Sequence, residues 1–221
     1  MQQAANETGF PHGIVGYADF VADDVRPQLD RLTKYPGMRG VRMQLQWHQN
    51  PQFRFASGPD LARHPKLKRN VGYLADYGWT FDLQVFSAQM AGAAELADSA
   101  PKVTFILQHA GMLEDASEES VARWRQGMRL LAARPNVVSK LSALGTFIHK
   151  NDPDHIAAVV KETIAIFGPD RCLFGSNFPV EKLWTGYAEL IAAYRSAIEP
   201  LGEAVARAAF HDTAARVYRL N

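Results

Sequence analysis

From Gly13 onward, short apolar runs alternate six times with longer helical patterns, and nothing between the apolar runs reads as a hairpin turn. Strands that never meet through a tight turn have to run parallel and be joined by helical crossovers. The expected strands are Ile14–Phe20, Gly40–Gln46, Thr80–Phe86, Lys102–Gln108, Asn136–Ser142 and Cys172–Phe174. The segments between them carry helix start and stop signals. Asp24 stands ahead of Val25, Leu29 and Leu32, and a helix around Pro65–Tyr77 stops at Gly78. An Ala-rich helix runs to Ala100, and the next carries Val121, Trp124, Met128 and Leu131. Asp152 and Pro153 open a helix with Ile156, Val159, Val160, Thr163, Ile164 and Phe167 at nearly 3.6-residue spacing. Gly168-Pro169 closes it, with Gly168 expected as a left-handed cap. Tyr187, Leu190, Ile191 and Tyr194 mark a further helix before Pro200, and a last segment runs to Tyr218. A doubly wound open sheet is the competing architecture, but the chain lacks its Gly-rich first turn and has no P-loop.

Composition narrows the function classes. The chain has 221 residues, 47% hydrophobic, with 24 basic and 23 acidic side chains and a net charge of +1. That suits one domain with a sizeable core and gives no electrostatic footprint for nucleic acid or an anionic membrane. No apolar run approaches the roughly 20 residues of a membrane span. The first residues lack the basic start and apolar stretch of a signal peptide, and Cys172 is the single cysteine. These features predict a cytoplasmic protein without a nucleic-acid or membrane partner, with self-association left open.

Buried parallel strands should be almost continuously apolar, and three of these are not. Arg42, Gln44 and Gln46 alternate with Val41, Met43 and Leu45; Asp82 and Gln84 alternate with Phe81, Leu83 and Val85; Lys140 and Ser142 flank Leu141. Side chains alternate faces along a strand, so each strand offers an apolar row to helices and a polar row to the opposite side. A buried polar group left unpaired costs about 1–3 kcal/mol. The polar rows therefore predict an internal network such as Arg42 with Asp82, or a polar cavity for a ligand rich in oxygen. Both can hold together. His109 follows Phe105–Gln108 directly, and Asn177 follows Cys172–Phe174; in parallel barrels such positions carry chemistry. His48 lies just past a strand end, while His12, His64, His155 and His211 read as surface residues. No His-x-His or His-Glu-x-x-His occurs, so spacing alone builds no metal site.

The pieces Phe105-Ile-Leu-Gln-His-Ala-Gly111, Asn136-Val-Val-Ser-Lys-Leu-Ser142, Phe167–Val180 and Thr213–Leu220 resemble the amidohydrolase-related family, most closely its sugar-lactone and pyrone-dicarboxylate lactonases. The resemblance implies a (β/α)8 TIM barrel of the α/β class. With six strands counted, the expectation is one domain over residues 1–221 that lacks its first one or two βα units. By the same resemblance, His109 matches the histidine that polarises a substrate carbonyl or assists proton transfer. Arg42 matches an arginine that holds substrate oxygens, and Lys140 and Ser142 match a Lys-x-Ser pair. Two positions depart from the pattern. Asn177 stands where the family carries an aspartate, and Gln84 where metal-using relatives carry a histidine. Zinc is thus implied by the resemblance, with an incomplete ligand set in this chain. The resulting expectation is a hydrolase opening a lactone or similar cyclic ester. His109, Asn177 and Asp82 would be catalytic, Asp82 as the in-chain candidate base, and Arg42, Gln84, Lys140 and His48 would bind substrate. The alternatives are a ligand-binding barrel without turnover and a metal-dependent decarboxylase.

Overall fold

All six apolar runs form strands, and every neighbouring pair is parallel. The structure, a computed structural model, describes residues 1–220. A short helix α1 (Gln2–Thr8) precedes β1 (Ile14–Tyr17). Then come α2 (Arg26–Leu32), β2 (Met38–Arg42), α3 (Pro65–Gly72), α4 (Leu74–Tyr77), β3 (Thr80–Leu83), α5 (Met90–Ser99) and β4 (Phe105–Leu107). The chain continues through α6 (Glu118–Ala132), β5 (Val137–Leu141), α7 (Pro153–Phe167), β6 (Cys172–Phe174), α8 (Tyr187–Ile198), α9 (Glu203–Arg207) and α10 (Thr213–Tyr218). The sheet order is β1-β2-β3-β4-β5-β6, so among the described residues β1 and β6 each pair on one side.

Helix ends follow local chemistry. The Asp152 carboxylate accepts from the backbone N–H of Asp154 and His155 at the start of α7, 3.1 and 3.2 Å away. That serves donors a helix start otherwise leaves unpaired. Asp152→Ala is expected to lower stability by about 1 kcal/mol, read as a shift of the urea midpoint. Gly78 ends α4 in the left-handed conformation, as expected. Gly168 differs: its φ of 82° is positive, but its ψ of 152° is extended, so it turns the chain instead of closing α7 with a left-handed cap. A glycine tolerates either. His64, read from sequence as a surface residue, is half-buried and accepts from the Lys66 N–H at the start of α3.

The strands end earlier than the apolar patterns suggest. Backbone pairing of β2 with β3 stops at Arg42 and Asp82, leaving Gln44, Gln46 and Gln84 beyond the ladder. The alternation of faces nonetheless holds. Val41, Phe81, Leu83, Phe105, Leu107, Val137, Leu141 and Cys172 share the main core with helix residues such as Leu67, Leu96, Trp124, Ile156 and Leu190. On the opposite face Ile106, Val138 and Leu173 form a second cluster with Val217, against which Ala214 and Tyr218 pack. The C-terminal helix α10 thus covers the inner side of the sheet. Among the described residues no helix is long and apolar enough to cross a membrane.

Candidate active site

Five strands deliver residues to one cavity of about 350 Å³, within the size range of small-ligand sites, about 300–1,000 Å³. Arg42, Gln44 and Gln46 come from the end of β2 and the segment after it, and Gln84 follows β3. His109 follows β4, Ala143 and Thr146 follow β5, and Asn177 follows β6. Five flat strands at roughly 4.8 Å spacing would spread these groups across nearly 20 Å. The sheet has to curl for them to share one cavity. Phe53, Phe86 and Phe147 form an aromatic wall, with ring centroids 5.2–6.4 Å apart.

Strained backbone gathers at this mouth. Of the seven described non-glycine residues with positive φ, six lie in the loops after β4, β5 and β6: His109, Ala110, Met112, Ala143, His149 and Asn177. Such conformations cost energy and persist where surrounding structure holds them. At His109 (φ 58°) the hold is visible. The Trp124 indole donates to the Ala110 carbonyl at 2.7 Å, and His109 Nδ1 lies 2.8 Å from the Ser142 hydroxyl. Burial, with Arg42 and Lys140 adding positive potential, pulls the imidazole down to about 3. His109 is therefore neutral at ordinary pH. A Ser142 hydroxyl that donates to Nδ1 would put the proton on Nε2 and make the ring a hydrogen-bond donor without a charge.

Beneath the cavity lies a buried polar layer. Arg42 and Asp82 are register partners on adjacent strands, so their side chains point the same way. Arg42 Nη2 donates to Asp82 Oδ2 at 2.7 Å and to Gln108 Oε1 at 2.6 Å. Asp82 is 1% exposed and does not line the cavity. Lys140 also lies below it, its Nζ 3.4 Å from the Tyr218 hydroxyl. Burial lowers the Lys140 ammonium's pKa, Asp82 opposing and Arg42 assisting. Burial likewise raises the Tyr218 phenol.

Of the residues singled out in the sequence, the cavity unites Arg42, Gln84, His109 and Asn177. Asp82 and Lys140 sit under it, where Asp82 is engaged by Arg42 instead of open to a substrate. His48 lines a neighbouring cavity, on the far side of Phe86, with its ring 5.0 Å from that phenylalanine and Nε2 3.8 Å from Glu114. The sequence reading missed Gln52, Thr146 and the three aromatic rings. It also missed Glu181, which is 0% exposed and accepts from Thr146 and Asn177. An acid in a polar turn gives no sign of burial; its position four residues after Asn177 was the only available cue.

Among the described residues no three His, Cys, Asp or Glu side chains cluster in a way that could hold a metal ion. The cavity's donors are one imidazole, carboxamides, a hydroxyl and a guanidinium, a poor set for zinc, which takes imidazole, thiolate and carboxylate. These residues do not by themselves fit the ion.

Residues 1–220 match the Amidohydrolase family, and the chain belongs to it. It is 38% identical over 220 residues to the uncharacterized protein y4mH of Sinorhizobium fredii, covering 100% of this chain and 74% of that one. It is 33% identical over 221 residues to an L-fucono-1,5-lactonase of Burkholderia multivorans, covering 94% of this chain and 71% of the relative. Among solved structures, an amidohydrolase from Burkholderia multivorans with bound zinc superposes with a TM-score of 0.85 at 28% identity, over 99% of this chain and 77% of that one. A 5-carboxyvanillate decarboxylase from Sphingomonas paucimobilis shares the fold, with a TM-score of 0.65 at 14% identity.

Proposed function

We propose that this protein hydrolyses a neutral, polyhydroxylated lactone of the sugar-acid type. The observation that carries the reading is the chemistry of the cavity wall. Gln44, Gln46, Gln52, Gln84 and Asn177 line it with carboxamides, together with the Phe53, Phe86 and Phe147 rings. A carboxamide both donates and accepts, matching hydroxyl groups that do the same, while aromatic faces suit the C–H surface of a sugar ring. Gln46 lines the same cavity, and its buried Oε1 has no partner within the protein. A substrate with two carboxylates fits less well, because Arg42 is the only Lys or Arg among the described lining residues and is already tied to Asp82. The lactonase relative of Burkholderia multivorans points to the same substrate class.

In this reading the neutral His109 donates from Nε2 to the lactone carbonyl and stabilises the oxygen as negative charge develops. Arg42 holds a substrate oxygen through the guanidinium edge not used by Asp82 and Gln108. Asn177 orients the attacking water. Water adds to the carbonyl carbon, the ring C–O bond breaks, and the product is a hydroxy acid that releases one proton at neutral pH.

The test is proton release at constant pH from a panel of neutral aldonolactones, L-fucono-1,5-lactone included, beside 2-pyrone-4,6-dicarboxylate. At least tenfold higher kcat/KM for a neutral lactone is expected; preference for the dicarboxylate would overturn the substrate class. A second reading, ligand binding without turnover, draws support from a lining that includes no Asp or Glu among its described residues. Lactone that raises the melting temperature yet yields no acid would favour it.

A further inference from the structure

Glu181 is a carboxylate with no exposed surface, set against the cavity wall but outside its lining. Its Oε1 accepts from the Thr146 hydroxyl at 2.7 Å and from Asn177 Nδ2 at 3.2 Å. Both donors line the cavity. Its Oε2 is buried without a partner and packs where only a glycine leaves room: a Cβ on Gly145 would stand 2.9 Å from it and 2.7 Å from the Lys150 carbonyl oxygen. A carboxylate kept from water with half its acceptor capacity unused is unfavourable for folding alone. Its position has to be explained by what it holds.

We propose that Glu181 is a positioning residue that fixes the hydrogen-bonding polarity of the cavity wall at Asn177 and Thr146. In both contacts the Glu181 Oε1 is the acceptor. The Asn177 carboxamide must therefore turn Nδ2 inward, which leaves Oδ1 for the cavity. Thr146 likewise spends its hydroxyl proton on Glu181 and keeps lone pairs free. This part of the wall then presents acceptors to the donor hydrogens of a water or a substrate hydroxyl. The same contact accounts for an asparagine at position 177. An aspartate there would bring a second carboxylate to about the 3.2 Å spacing of the present pair, and like charges so close oppose each other.

The proposal rests on the hydrolytic reading for its kinetic consequence but not for its geometry, and the experiment separates the two. With the best aldonolactone of the panel as probe, Glu181→Leu is expected to lower kcat 10- to 100-fold with KM changed less than threefold. Glu181→Gln, whose carbonyl can accept from both partners, is expected to keep kcat within threefold of the parent. Equal kcat in parent and Glu181→Leu, or no rescue by Glu181→Gln, would overturn it. If no lactone is turned over, the substrate reading falls and the NMR arm decides. The Asn177 side-chain NH2 pair, assigned by its loss in Asn177→Gly, should exchange slowly with water in the parent and at least tenfold faster in Glu181→Leu. Unchanged exchange would overturn the proposal. Should Glu181→Leu fail to fold, Asn177→Asp alone and combined with Glu181→Gln replaces it. The single variant is expected to melt at lower temperature than the double variant, and equal melting would overturn the proposal.

Discussion

Exchanging His109 for asparagine is expected to lower kcat on the preferred lactone by about 10²–10³-fold, the usual effect of losing one donor to a developing oxyanion. Asparagine is the informative choice. His109 sits at φ 58°, a conformation that asparagine adopts more readily than alanine does, so a folding defect is kept apart from a catalytic one. Full activity in this variant would remove His109 from the mechanism. The same substitution has a consequence for acid stability. The imidazole titrates near 3 in the folded chain and near 6.5 when unfolded. Between these values the unfolded state binds a proton that the folded state does not, so stability rises with pH across that window. Above about 6.5 His109 makes no pH-dependent contribution; below it, stability falls progressively until about pH 3. His109→Asn should flatten that limb of a melting-temperature profile between pH 6.5 and 4, while other acid-sensitive groups still contribute. A parent protein whose melting temperature does not change over this interval would contradict the neutral, half-buried imidazole.

The acid limb comes mainly from the withdrawal of His109 from water, with Arg42 and Lys140 adding to it. Arg42 and Lys140 both disfavour its protonation, and neither could be recognised as its neighbour from spacing in the sequence. What spacing did reveal was direction. Period-two alternation of polar with apolar residues in strands that ought to be apolar throughout identified the inward row, and the packing of Val41, Phe81 and Leu141 away from it bears that out. Depth along the inward row was not legible. Asp82 and Gln84 are two residues apart on the same face, yet Gln84 lines the cavity and Asp82 lies under Arg42. Pairing does not decide the difference, because Arg42 shares a rung with Asp82 and still lines the cavity; the guanidinium of Arg42 covers Asp82. The aromatic wall was equally hidden: Phe53, Phe86 and Phe147 come from three loops, and no local pattern joins them.

Arg42→Met is expected to weaken substrate binding and the fold together, and a second substitution should divide the two effects. Removing the guanidinium leaves Asp82 buried beside Gln108 with no cation on its Oδ2. Removing one partner of a buried pair costs about 3–5 kcal/mol. The low end, about 3 kcal/mol, is expected here because the Arg42 side chain keeps 32% of its surface accessible while Asp82 keeps 1%. Adding Asp82→Asn removes the stranded charge, and the neutral amide can donate to the Gln108 side-chain oxygen that Arg42 now serves. Arg42→Met/Asp82→Asn should therefore recover to within about 1 kcal/mol of the parent in urea unfolding, as neutral replacements of buried pairs often do. Substrate affinity should not follow. If Arg42 also holds a substrate oxygen, KM stays raised about tenfold or more in both variants, the loss of a charge-assisted hydrogen bond worth about 1.5–3 kcal/mol. If the double variant regains both stability and KM, Arg42 serves the fold alone. The substrate oxygens would then be held by the carboxamides of Gln44, Gln46 and Gln84, and the cavity would recognise its ligand without a charged contact.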